Sequence, residues 1–183
     1  MDQYPLYLKR LLRILAGVGA LFALTPFWAS WKPNAKVNRD SGPVTVDLSH
    51  LEPGQKINVV WRGKPVWILR RTKEMLSALH NEQYLRDPKS LDSIQPGTAQ
   101  NTFRSINPEY AVLIGLCTHL GCIPKLASSV AAGKNAASFY CPCHGSRFDM
   151  AGRVYQKSPA STNLEVPPYH FANATTLVIG ENA

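Results

Sequence analysis

Two short segments hold the residues best suited to chemistry. Cys117-Thr118-His119-Leu120-Gly121-Cys122 places two thiols around an imidazole, and Cys141-Pro142-Cys143-His144-Gly145-Ser146 adds two thiols, a second imidazole and a hydroxyl. Eighteen residues separate them, and the chain has no other cysteine. Each segment sets a histidine two or three residues after a cysteine. Thiolate sulfur and imidazole nitrogen are ligands for transition metals. A structural zinc site usually uses C-x₂-C pairs, whereas the spacings here are C-x₄-C and C-x-C. Zinc held by two Cys and two His remains chemically open. Two plain disulfides would leave both histidines unexplained. Covalent haem attachment needs C-x-x-C-H, which is absent. The arrangement fits a [2Fe–2S] cluster with two Cys on one iron and two His on the other.

The elements around these segments read mostly as short strands. Val44–Asp47, Lys56–Trp61, Pro65–Arg71, Ala111–Leu116, Phe139–Tyr140, Arg147–Asp149 and Leu177–Gly180 carry β-branched or aromatic residues between turn signals. Glu52-Pro53-Gly54 and Arg62-Gly63-Lys64 read as turns. Thr72 to His80 is the best helix, with Thr72 as N-cap and Glu74 in its first turn. Residues 81–108 read as a long loop with helical pieces. The pattern predicts an all-β head, an antiparallel β-sandwich or barrel over 44–183, with the site loops at about 116–150.

Ahead of the head, Ile14 to Trp31 form an uncharged run of 18 residues. As a helix the run spans roughly 27 Å, close to the hydrocarbon thickness of a bilayer. Phe27, Trp28 and Trp31 close it as an interfacial aromatic belt would. A cleaved signal peptide has a shorter apolar core and a small-residue cleavage site. An uncleaved anchor over 1–31 is the better reading. Lys9, Arg10 and Arg13 before the run balance Lys32, Lys36 and Arg39 after it, so charge alone does not orient it. Residues 32–43 are polar, with two Pro and one Gly, and read as a linker that leaves the head mobile.

Composition narrows the classes further. The chain has 183 residues, enough for one domain plus an accessory element. With 45% hydrophobic and 17% charged residues it is not disordered. Fourteen Pro and twelve Gly argue against a helix bundle. The net charge of +8 is spread along the chain without a basic stripe interleaved with aromatics, so nucleic acid is not an expected partner. His50, His80 and His170 lie outside the motifs and read as surface or satisfied positions.

Together the two motifs resemble the Rieske iron–sulfur protein of the cytochrome bc1 complex. The resemblance extends to Arg70-Arg71-Thr72-Lys73-Glu74, Leu85-Arg86-Asp87-Pro88, Arg104-Ser105-Ile106-Asn107-Pro108-Glu109, Asn163-Leu164-Glu165-Val166-Pro167 and Pro26-Phe27-Trp28-Ala29-Ser30-Trp31. It implies one N-terminal transmembrane helix, then a Rieske head with a small cluster-binding subdomain. It implies one [2Fe–2S] cluster per subunit, with Cys117 and Cys141 on the inner iron and His119 and His144 on the outer. Cys122 and Cys143 would form a disulfide joining the loops. Replacing two thiolates by neutral imidazoles removes two negative charges and raises the potential. Ser146 would donate its hydroxyl to a bridging sulfide, Gly121 and Gly145 would let the backbone approach, and Leu120 would cover the cluster and meet the quinone pocket.

The implied activity is that of a quinol:cytochrome c oxidoreductase subunit. Quinol, ubiquinol by preference, would hydrogen-bond to His144, and the electron would pass to cytochrome c1. Cytochrome b, cytochrome c1, the membrane and a dimeric complex are the implied partners. A disulfide needs an oxidising compartment, so the head would face the bacterial periplasm and the N-terminus the cytoplasm. No transit peptide precedes the anchor, which favours a bacterial protein.

The chain also departs from the family pattern. Phe148 stands where many members have a tyrosine, which predicts one fewer hydrogen bond to the cluster. Ala136-Ala137-Ser138 stands where Gly is frequent. Ser158-Pro159-Ala160-Ser161 lacks the family's leading Gly, and Lys9-Arg10 is at best a variant of a twin-arginine export signal. A low-potential Rieske-type ferredoxin, an arsenite oxidase small subunit and a zinc-binding anchored module are the rival readings.

Overall fold

The structure is a computed structural model that describes residues 5–31, 42–127 and 137–182. Most of the expected 32–43 linker, and Ala136, lie outside the described residues. The chain divides into two units, Met1–Arg39 and Asp40–Ala183.

The first unit contains one helix, α1 (Leu6–Ser30). It begins earlier than the uncharged run, so Lys9, Arg10 and Arg13 lie inside it. Its 25 residues span about 37 Å. No residue of it is buried, and it is long and apolar enough to cross a membrane. Pro26 lies inside and has no N–H for the Phe22 carbonyl one turn back. The Thr25 hydroxyl donates to that carbonyl instead, at 2.7 Å. In a solvent with no water to satisfy backbone groups, that substitution lets the helix continue past the proline.

The second unit is built from nine strands in three antiparallel sheets among the described residues. β2 (Lys56–Trp61), β3 (Lys64–Arg70) and β4 (Tyr110–Ile114) form the first, with β3 in the middle. Val66, Trp67, Ile68 and Leu69 of β3 and all five residues of β4 are buried, which accounts for their near-continuous apolar runs. β2 and β3 meet through Arg62 at φ +50° and Gly63 at φ +72°. Two successive positive φ values make the tight turn whose twist suits a hairpin. β1 (Val44–Asp47) pairs with β9 (Thr176–Ile179), and β9 with β8 (Tyr169–Asn173), so both ends of the head share one sheet. β5 (Lys125–Ala127), β6 (Ser138–Tyr140) and β7 (Arg147–Phe148) form the third sheet. β5 and β8 were not expected from the sequence; the other seven strands agree with expectation within one or two residues.

The helix α2 (Lys73–Ala78) is shorter than the expected 72–80. Thr72 caps it, accepting a hydrogen bond from the Met75 N–H at 3.3 Å. Residues 81–108 form the expected long loop. A single 3₁₀ turn, Gly97–Ala99, and one bridge, Leu85 to Tyr155, are its regular features.

The core of the head joins the first and third sheets. Trp67 of β3 packs on Phe139 of β6 with ring centroids 5.0 Å apart. Gly115 follows β4 against the same indole, and a Cβ there would lie 2.3 Å from a Trp67 ring carbon. Three arginines are also buried: Arg71, Arg104 and Arg153. Arg71 donates to the carbonyls of Met150, Phe103 and Pro108 and to the Ser105 hydroxyl. Arg153 pairs with Asp149 at 2.7 Å and also reaches the Leu79 carbonyl. Burial pushes Arg71 and Arg104 down to about 10, so both remain charged at neutral pH. His170 departs from expectation, because its Nδ1 is buried without a partner among the described residues.

Candidate metal centre

Both cysteine–histidine segments fold into the same hydrogen-bonded loop. In the first, which leaves β4, the Gly121 N–H donates to the Cys117 carbonyl at 2.9 Å, and the Cys117 N–H to the Cys122 carbonyl at 2.7 Å. In the second, between β6 and β7, the Gly145 N–H donates to the Cys141 carbonyl at 2.9 Å and the Cys141 N–H to the Ser146 carbonyl at 2.8 Å. Gly121 and Gly145 both have φ +79°. An added Cβ at either would meet no atom of the chain within 4 Å. The turn therefore selects glycine through its φ rather than through crowding by the rest of the chain.

A disulfide joins Cys122 to Cys143 and ties one loop to the other. The remaining cysteines, Cys117 and Cys141, are free thiols, 3% and 1% exposed. The Cys122, Cys141 and Cys143 sulfurs all lie within 4.8 Å of one another, but two of them are consumed in the disulfide, leaving Cys141 as the one free thiol of that group. His119 and His144 meet edge to face, ring centroids 4.8 Å apart. His144 is exposed and His119 half-buried. The loops thus bring two buried thiols and two outer imidazoles together.

This donor set fits the cluster implied by the motifs. The Nδ1 of His119 is buried and has no hydrogen-bond partner among the described residues, which is costly unless another group occupies it. Burial pushes the Cys117 thiol up, with Cys141 beside it adding to the rise and the Ser146 hydroxyl opposing it. A bound metal ion reverses that balance and favours the thiolate.

The remaining expected residues surround this group. Ser146 is fully buried and accepts a hydrogen bond from the Ala160 N–H at 3.0 Å. Phe148 is also fully buried and lies opposite Phe139 in the β6–β7 pair. Leu120 is 71% exposed at the tip of its loop, with Ile123 exposed nearby in sequence. Ser158 accepts a hydrogen bond from the Arg147 N–H at 3.2 Å through its hydroxyl, so the serine in place of glycine is used.

Sequence reasoning missed the groups that hold the loops from behind. The Thr118 hydroxyl donates to the Thr162 carbonyl at 2.6 Å, and the Arg86 guanidinium donates to the Ala160 and Ser158 carbonyls. Asn163 donates to the Asp87 carbonyl and the Ser90 hydroxyl and accepts from the Val154 N–H. Arg86, Asp87 and Asn163 fall in segments that resemble the family, but nothing in their types told what they bind.

Comparison with known proteins shows the family. The family described as the Rieske [2Fe–2S] domain matches residues 87–169. The ubiquinol-cytochrome c reductase iron-sulfur subunit of Allochromatium vinosum is 47% identical over 174 residues, covering 92% of this chain and 84% of that one. The protein of the same description from Bradyrhizobium diazoefficiens is 41% identical over 167 residues, covering 90% of this chain and 87% of that one. A mitochondrial cytochrome b-c1 complex subunit, Rieske-1 of Nicotiana tabacum, is 46% identical over 140 residues, covering 74% of this chain and 47% of that one.

Proposed function

This chain belongs to the Rieske iron–sulfur subunits of cytochrome bc1 complexes, and on that premise we propose that it takes one electron and a proton from ubiquinol at cytochrome b and passes the electron to cytochrome c1. The observation that carries the reading is the pairing of two buried thiols with two outer imidazoles, one with an orphaned Nδ1, across a disulfide-tied pair of loops. A [2Fe–2S] cluster held there supplies one-electron chemistry at the high potentials, roughly −150 to +300 mV, of this class.

The residues divide that work. Cys117 and Cys141 would hold the cluster as thiolates, and His119 and His144 as imidazoles. The exposed imidazole of His144 accepts a hydrogen bond from the quinol hydroxyl and takes its proton through the ring nitrogen not bound to metal. Leu120, exposed next to His119 in sequence, enters the apolar quinone pocket and excludes water. Ser146 donates its hydroxyl toward the sulfurs, which favours added negative charge. The Cys122–Cys143 bond keeps the two loops from separating.

The same proposal fixes location and organisation. Residues 1–31 form the anchor, 32–43 the connection and 44–183 the head of a single-pass subunit in a dimeric complex. The disulfide belongs in an oxidising compartment, so the head faces the bacterial periplasm and the N-terminus the cytoplasm. The test is low-temperature EPR of membranes reduced first with ascorbate and then with dithionite. A rhombic Rieske signal already present with ascorbate supports the quinol-oxidising role. A signal only with dithionite favours a ferredoxin-like role. No signal, with zinc in the purified protein, overturns the proposal.

A further inference from the structure

We infer that Arg86, remote from the metal ligands in sequence, is a positioning residue that aims the Ser146 hydroxyl by gripping the loop at residues 158–162. The inference rests on the reading of Ser146 as a hydrogen-bond donor to the cluster sulfurs.

The grip uses both prongs of the guanidinium. Arg86 Nη1 donates to the Ala160 carbonyl at 2.7 Å and Nη2 to the Ser158 carbonyl at 2.9 Å. A planar fork holding two acceptors fixes their separation and direction, which a lysine cannot do. The arginine is anchored in its turn. Its N–H donates to the Val154 carbonyl at 2.9 Å, Leu85 bridges to Tyr155, and the Gln156 N–H donates to the Tyr84 carbonyl at 2.7 Å.

The gripped loop then acts on Ser146. The Ala160 N–H, in the residue whose carbonyl Arg86 holds, donates to Ser146 Oγ at 3.0 Å. A hydroxyl has one proton and two lone pairs. Ser146 is fully buried, so no water competes for them. With a lone pair committed to Ala160, the proton turns away from the loop at residues 158–162. Two neutral hydrogen bonds, Thr118 to the Thr162 carbonyl and the Arg147 N–H to Ser158, steady the same loop. Arg86 adds charge-assisted bonds to it.

The test is an EPR-monitored redox titration of the whole complex carrying Ser146→Ala, Arg86→Lys, Arg86→Gln and each Arg86 substitution combined with Ser146→Ala. Arg86→Lys keeps the charge and the aliphatic stem and loses only the fork, so it preserves the fold. Ser146→Ala and both Arg86 variants are expected to lower the midpoint potential, and neither Arg86 substitution should lower it further once Ser146 is alanine. Hydrogen exchange at the Ala160 amide should quicken in both Arg86 variants. Unchanged potentials in the Arg86 variants, with Ser146→Ala still effective, overturn the inference. Additive lowering in the combined variants also overturns it, because Arg86 would then act independently of Ser146. An ineffective Ser146→Ala sinks instead the underlying reading of Ser146.

Discussion

The disulfide offers the most quantitative test of how the site is held. Cys122 and Cys143 are 21 positions apart, so their bond removes from the unfolded chain the freedom of a loop of that size. The chain-entropy relation gives about 3.4 kcal/mol at 25 °C for such a loop. The unit at residues 40–183 unfolds with about 0.3 kcal/mol per kelvin of entropy, so the loss amounts to roughly 11 °C in Tm. The perturbation is Cys122→Ala with Cys143→Ala, which leaves no unpaired thiol from the pair. The assay is a near-UV circular dichroism melt of the full chain in detergent, with both forms at equal cluster content so that metal binding does not differ between them. A fall of under about 3 °C, below about 1 kcal/mol, would refute the reasoning. The bond would then merely fasten two loops within an otherwise unaffected head, and faster cluster loss would be its sole signature.

Three further perturbations probe the head around the site. Gly115→Ala puts a Cβ 2.3 Å from a Trp67 ring carbon, an overpacking cost of at least about 1–3 kcal/mol in urea unfolding, relieved in part by Trp67→Leu; equal instability of the single and double variants would count against it. Phe148→Tyr adds a buried hydroxyl where many family members place one, and a new hydrogen bond of about 1 kcal/mol to the cluster sulfurs raises the midpoint potential by roughly 40 mV; no rise in a redox titration would sink that account. Burial pushes the Tyr169 phenol up to about 12 from 10, while its oxygen accepts the Ile106 N–H at 2.8 Å. The unfolded state therefore loses that proton first, and about 2–3 kcal/mol of stability present below pH 10 is lost as pH rises towards 12; Tyr169→Phe should flatten the fall, and identical slopes would contradict it.

What the sequence made legible, and what it did not, divides along a physical line. The candidate metal ligands stood out because thiol and imidazole are chemically singular; the loop glycines were read as sites of close backbone approach, and the structure shows instead that their φ of +79° selects them. Strands β2, β3 and β4 carry enough apolar and β-branched residues to declare themselves. β5 and β8 did not. Lys125–Ala127 is too short to show alternation, and its pairing with β6 specifies it. Tyr169–Asn173 has two aromatic residues among Ala, Asn and His, directly after Pro167-Pro168, and its bond to β9 makes it a strand.

The support of Ser146 was hidden for a different reason. Arg86 and Ala160 lie 74 positions apart, and what the arginine holds is a pair of main-chain carbonyls. The group that reaches Ser146 from that loop is a main-chain N–H. Almost any residue type provides those atoms, so residue identity carries no trace of the contact. The candidate ligands of such a centre stand out by residue type, and the resemblance of their motifs assigns them. The aim of the hydrogen bonds that tune it depends on where the backbone runs, and the fold supplies that information through an arginine that holds two main-chain carbonyls.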